Sequence, residues 1–262
     1  MTSSPVASRN RLPRPRTSIT FSENDMARRE FLKLAASAAV GWCMLTGTAA
    51  NAASSGAPTI LVVGDSLSAE YGIARGAGWV NLMQQTITQS GYDYNVVNAS
   101  ISGDTTSGGR SRLAPLLERY HPAVTIIELG GNDALRGIPL DLTRTNLREM
   151  VAASRKIGSR VIVVGMRIPP NYGPDYSEQF FTMFSTIAKQ EKTGYVPFLL
   201  AGVIEHQDWF QQDQIHPLAK AHPQILQNVW PTVKPLLKPA AAATPAKPSA
   251  KAPDSRASKS GA

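Results

Sequence analysis

The chain has 262 residues, 42% of them apolar and 18% charged, with one cysteine and a formal charge of +8. That apolar content suits one domain, or at most two, and excludes a wholly disordered chain. A single Cys excludes a disulfide scaffold and a thiolate zinc cage. No repeat of about 20–50 residues is visible, which argues against a solenoid or propeller.

The positive charge sits at the ends. Residues 1–52 hold seven Lys/Arg against three Asp/Glu, residues 239–262 hold four against one, and residues 53–238 hold sixteen against fifteen. A nucleic-acid reader carries its positive charge on the folded domain. The near-neutral body makes nucleic acid an unexpected partner.

Ala27-Arg28-Arg29-Glu30-Phe31-Leu32-Lys33 precedes an apolar stretch, Leu34–Ala50, and then the small-x-small site Ala50-Asn51-Ala52. A charged start, a short apolar core and an A-x-A end describe a secretory signal, with cleavage expected after Ala52. The paired arginines followed by Phe-Leu-Lys resemble the twin-arginine export motif. The stretch falls short of the roughly 20 apolar residues of a spanning helix, so no permanent membrane anchor is expected. Cys43 lies within this segment, which leaves the mature chain without cysteine. Residues 1–25 show no periodicity, and Met26 reads as the true start. These features place the protein in the periplasm or outside the cell, delivered by the twin-arginine machinery.

From Pro58 onward strands and helices alternate. The short apolar runs Thr59–Val63, Tyr94–Val97, Val124–Leu129, Val161–Val164 and Tyr195–Leu200 read as strands buried on both faces. Helix-length segments lie between and after them, near 77–90, 107–120, 141–157, 175–193 and 217–237. In the third, Leu147, Met150, Val151, Ser154 and Ile157 recur on one helical face. Asp141 reads as its N-cap and Gly158 as its stop. Five such repeats predict an α/β fold, a three-layer sandwich around a five-stranded parallel sheet over residues 53–238. Pro239–Ala262, rich in Ala, Pro and Lys, has no bulky apolar residue and is expected to be disordered.

Ligands of such sheets bind beyond the carboxyl ends of the strands, and the chemistry-bearing residues follow the strands. They are Gly64-Asp65-Ser66-Leu67-Ser68, Asn98–Thr105, Gly130-Gly131-Asn132-Asp133 and, near the C-terminus, Asp213-Gln214-Ile215-His216-Pro217. Acyl transfer needs a nucleophile, a base, a group to orient the base, and donors for a developing oxyanion. Ser66, His216 and Asp213 are the candidate triad. The backbone N–H groups of Ser66 and Gly103 and the amide of Asn132 are the candidate donors. Among the four histidines only His216 has an Asp three residues before it and a position past the last strand. His121 and His222 precede prolines and read as punctuation, and His206 as a surface residue. Asp65 and Asp133 read as braces for neighbouring loops, and Asp104 as a helix cap. Tyr71, Ile168, Pro169 and Tyr172 are candidate substrate-binding residues. Nothing in the spacing suggests a metal site or a nucleotide loop, so no cofactor is expected.

The four blocks, in this order over about residues 58–237, resemble the GDSL, or SGNH, hydrolase family. That resemblance implies a flavodoxin-like SGNH hydrolase fold, with Ser66 as nucleophile, Gly103 and Asn132 in the oxyanion hole, and Asp213 with His216 completing the triad. Leu135-Arg136-Gly137 and Ile168-Pro169-Pro170-Asn171-Tyr172-Gly173 are similar to the exported bacterial subfamily. Its members act as acyl-CoA thioesterase, lysophospholipase and arylesterase, so a small ester, thioester or lysophospholipid is the expected substrate, and a monomer the expected state. Gln214 departs from the Gly common at that position. A carbohydrate acetyl esterase on the same triad is one alternative. A flavodoxin-like FMN-binding module, with Ser100–Gly109 cradling phosphate, is another. With base and orienter on one loop, a flexible and tolerant site is expected.

Overall fold

The computed structural model describes residues 56–239. The expected extension, signal segment and most of the tail lie outside the described residues.

Five parallel strands form one sheet: β1 (Thr59–Gly64), β2 (Asn95–Asn98), β3 (Val124–Glu128), β4 (Arg160–Val164) and β5 (Gly194–Val196). Their spatial order is β2-β1-β3-β4-β5. In register, Ile60 pairs with Val96 on one side and Val124 on the other. Every residue of β3 is buried, and so is every residue of β1 after Thr59, as strands covered on both faces require. The chain crosses over through α1 (Trp79–Gln89), α2 (Thr106–Tyr120), α4 (Leu140–Lys156) and α5 (Pro174–Gln190), and closes with α6 (His222–Val233). A short helix, α3 (Gly131–Leu135), follows β3. Helix α1 packs against α6, while α4 packs against both α2 and α5, giving the two helical layers of the sandwich. Ile60, Val62, Ile126, Ile162, Trp79 and Phe184 belong to a continuous core in which each is fully buried.

Several boundaries differ from the sequence expectation, each for a local reason. β5 stops at Val196, because Pro197 has no N–H to continue a ladder. The chain there instead approaches Gly165, where a Cβ would meet the Pro197 carbonyl at 2.3 Å. The last helix begins at His222 rather than near 217, with Pro223 in its first turn. The N-cap of α4 is Pro139, and Asp141 sits in the first turn paired with Arg144. Helix α2 is capped by Thr105, whose Oγ1 accepts from Gly108 N at 3.2 Å. Asp104, the expected cap, pairs with Arg112 Nε at 2.8 Å instead. Gly158 does end α4, at φ +84°. Among the described residues no helix is long and apolar enough to cross a membrane.

Candidate active site

The turn after β1 places Ser66 at the carboxyl edge of the sheet. Ser68 N and Ala69 N both donate to the Asp65 carbonyl, at 3.2 and 2.9 Å, which closes the chain into a tight turn. Gly64 is required there, since a Cβ would lie 2.7 Å from Glu128 Oε2 and 2.8 Å from Ser68 Oγ. The loop after β2 is tied to the same edge by Ile101 N, which donates to the Gly64 carbonyl at 3.0 Å. Arg112 adds a second tie, giving Nη1 to Ala99 O and Nη2 to Gly64 O while holding Asp104.

Residues 209–218 form a braced loop. Leu218 N donates to Trp209 O at 2.7 Å, Gln211 N to His216 O at 2.8 Å, and Phe210 bridges Pro217. The backbone is therefore held at both ends. Inside it, Asp213 Oδ1 accepts from Ile215 N at 2.9 Å and His216 N at 3.0 Å. Its Oδ2 meets His216 Nδ1 at 2.7 Å. The backbone N–H of His216, with the imidazole and Ile215 N–H, holds the Asp213 carboxyl down at about 2. An ionised carboxylate only accepts, so Nδ1 carries the hydrogen. Nε2 is then free to accept from Ser66 Oγ, 2.9 Å away. Ser66, His216 and Asp213 are thus joined in one hydrogen-bonded series.

Gln214 sits between the two loop residues at φ +56°, a left-handed conformation that favours glycine. Its side chain folds back to donate Nε2–H to Gln211 O at 3.1 Å, and it lines the cleft.

The other named residues gather nearby. Asn132 lies in α3, opened by Gly130 at φ +124°, and gives Nδ2–H to Asp65 Oδ2 at 3.0 Å. Gly103 takes φ +77°, and the nearest atom a Cβ would meet is Arg136 Nη2 at 3.6 Å, so backbone conformation rather than space calls for glycine. Arg136 Nη2 also donates to the Gly103 carbonyl at 2.7 Å. Among the described residues, the N–H groups of Ser66 and Gly103 make no backbone hydrogen bond. Asp133 braces α2 and α4, accepting from Thr106 N at 2.8 Å and Thr143 Oγ1 at 3.2 Å. His222 is buried and accepts from Trp79 N at 3.0 Å; His206 stacks on Trp209.

A cleft of about 620 Å³ opens over Ser66, Asn132 and His216. Ile168, Pro169 and Tyr172 line it, whereas Gly103 and Tyr71 do not. The Tyr71 ring rests instead on His216, with centroids 4.4 Å apart. Leu135, Met166, Phe198, Leu200, Ile204, Phe210 and Ile215 complete a largely apolar wall that sequence reasoning did not assemble. The distances along the chain hide most of these; Ile215, framed by Asp213 and His216, was the one with a local signal. Among the described residues no group of three or more His, Cys, Asp or Glu side chains is placed to hold a metal ion.

A doubly wound parallel sheet with a Ser–His–Asp series and amide donors at its carboxyl edge has the geometry of a serine hydrolase. The chain belongs to the GDSL-like lipase/acylhydrolase family, whose model matches residues 62–223. It is 51% identical over 181 residues to esterase TesA of Pseudomonas aeruginosa, covering 69% of this chain and 90% of that one. To thioesterase 1/protease 1/lysophospholipase L1 of Escherichia coli it is 36% identical over 181 residues, covering 69% and 86%. A crystal structure of TesA superposes with a TM-score of 0.67 at 51% identity, over 68% of this chain and 99% of that one. The family and these relatives favour the esterase reading over the FMN-binding module and over the carbohydrate acetyl esterase.

Proposed function

We propose that the protein hydrolyses carboxylic esters and thioesters through an acyl-enzyme, with Ser66, His216 and Asp213 as its triad. The observation that carries this reading is the Asp213–His216–Ser66 series at the floor of an apolar cleft. Ser66 Oγ attacks the substrate carbonyl carbon as its proton passes to His216 Nε2. Asp213, ionised, holds the Nδ1–H tautomer and stabilises the imidazolium that forms. The Ser66 and Gly103 N–H groups and Asn132 Nδ2 receive the oxyanion. Collapse breaks the carbonyl bond to the leaving alcohol or thiol, which takes the proton from His216. Water then repeats the sequence on the acylated serine and releases the acid.

The apolar wall suits an acyl chain, with Ile168, Pro169 and Tyr172 among its contacts. Relatives named as esterase and as thioesterase and lysophospholipase support carboxylic esters, acyl thioesters and lysophospholipids as the substrate class. The chemistry needs no cofactor. The chain is exported to the periplasm by the twin-arginine machinery, released after Ala52, and works as a monomer; Arg28-Arg29 and Ala50-Asn51-Ala52 support the first part. N-terminal sequencing of the periplasmic form tests it, and an intact residue 27–52 segment there would refute it.

Fluorophosphonate labelling tests the site. Labelling of the purified protein should disappear in Ser66→Ala and in His216→Ala. A folded parent that does not label, or a Ser66→Ala variant that labels equally, would overturn the triad.

A further inference from the structure

Two buried carboxyls lie directly beneath the candidate site, and the triad uses neither. Asp65, 3% exposed, precedes Ser66, and Glu128, 2% exposed, ends β3. Glu128 Oε2 accepts from Ser68 Oγ at 2.7 Å and from Asp65 N at 3.3 Å, which fixes the turn. Asp65 Oδ1 accepts from Leu67 N at 3.1 Å, leaving Oδ2 to meet Asn132 Nδ2 at 3.0 Å. Both hydrogen bonds of the Asp65 carboxyl are therefore ones in which it accepts.

We infer that Asp65 is a positioning residue that sets the orientation of the Asn132 carboxamide. The inference rests on the reading of Asn132 as an oxyanion donor. A carboxamide can present its nitrogen or its oxygen to a neighbour, and the two differ little in shape. An ionised carboxylate accepts only, so it selects the orientation with Nδ2 toward it. The second Nδ2 hydrogen then stays available to the cleft. A protonated Asp65 could donate to Asn132 Oδ1 and would lose that selection, turning the oxygen's lone pairs and the donor about. An oxygen placed where the oxyanion forms would repel it.

The charge state of Asp65 is set by its surroundings. Burial pushes its carboxyl up to about 6, opposed by the Leu67 N–H, Asn132 and the charge of His216, with Asp104 adding a repulsion. Asp104 is itself paired with Arg112 from α2. From β3, Glu128 is pushed well above the carboxylate range, by burial first and by the Asp65 charge second. With its carboxyl raised only to about 6, Asp65 can ionise near neutrality, and it is the one that faces Asn132.

The test is a double-mutant cycle with steady-state kinetics on a soluble aryl ester. Asp65→Asn should lower kcat about tenfold with KM within twofold, since a misoriented donor is lost to the transition state rather than to binding. In an Asn132→Ala background the same change should cost less than twofold. The pH profile is a second measurement. Between pH 7 and pH 5 the parent should lose up to about tenfold more in kcat/KM than Asp65→Asn does, because its Asp65 carboxyl takes up a proton there while the variant already lacks that charge. Equal losses in both backgrounds, a change confined to KM, or parent and Asp65→Asn pH profiles of the same shape would overturn the inference while leaving the esterase reading intact. An Asn132→Ala variant with full activity would remove the oxyanion reading itself.

Discussion

Gln211 donates Nε2–H to the Tyr71 carbonyl at 2.8 Å, and the ring of that tyrosine rests on the imidazole of His216. Gln211 also gives its backbone N–H to the His216 carbonyl at 2.8 Å. One residue thus braces both the loop that presents the imidazole and the ring that limits its tilt. Gln211→Leu removes the side-chain part of that brace and leaves the Tyr71 carbonyl without this partner. Stability should fall by about 1–2 kcal/mol by urea unfolding. Activity should fall about three- to tenfold, mainly in kcat, because small displacements of the proposed base are costly. Unchanged kcat beside lowered stability would show that the brace serves the fold alone.

Gln214 carries a left-handed backbone at φ +56° between Asp213 and His216. Gln214→Gly should be tolerated, with stability within about 1 kcal/mol, since relief of strain offsets the added freedom of the unfolded chain. Gln214→Val places a β-branched side chain in that conformation and should cost about 1–3 kcal/mol. Thermal unfolding of the two variants, run beside the ester assay, separates these outcomes. Equal stability of the Gly and Val variants would mean that the loop relaxes out of this conformation.

How much of this was legible in the sequence depended on how local each signal was. β1 and β3 were readable because strands buried on both faces are continuous apolar runs. The Asp213–His216 pairing was readable because the two side chains stand three residues apart on one turn. Helix α3 was not, since Gly130-Gly131-Asn132-Asp133 reads equally well as a turn. Gln211 joins Tyr71 across 140 positions, and Asn132 joins Asp65 across 67. Neither partner carries any local mark of the other. The role of Arg112 was hidden for the same reason, being spread over Gly64, Ala99 and Asp104.

His222 is the buried histidine that accepts from the N–H of Trp79 at the start of α1. Burial lowers it from 6.5 to about 4, against a smaller pull from Glu70. The folded state thus binds a proton less readily than the unfolded chain. The stability this contributes is present above pH 6.5 and is lost as pH falls toward 4. Asp65 acts in the opposite sense: raised from 3.8 to about 6, its contribution is present below 3.8 and lost as pH rises through 6. His222→Asn keeps an acceptor without a titrating ring. Its unfolding free energy should therefore fall less between pH 6.5 and 4.5 than that of the parent. His222→Leu leaves the Trp79 N–H unpaired and should cost about 1–3 kcal/mol at pH 7. Parallel pH curves for parent and His222→Asn would remove His222 as a source of acid sensitivity.

Glu128 gives the last prediction its sign. It lies fully within the sheet edge, and burial together with the Asp65 charge raises its carboxyl well above 4.5. An acid whose folded value is raised favours folding while protonated, so its contribution is complete below 4.5 and declines as pH rises. Glu128→Gln keeps the shape and an acceptor for Ser68 Oγ and Asp65 N, yet never ionises. Relative to the parent, the variant should gain stability with rising pH, by up to about 1.4 kcal/mol per pH unit until the buried acid itself ionises. Urea unfolding at pH 5 and pH 8 reads the difference directly. A constant offset between the two proteins across that range would mean that Glu128 is ionised in the folded protein throughout. The charge would then have to be shared differently between Glu128 and Asp65, and the selection of the Asn132 orientation would pass to the pair as a whole.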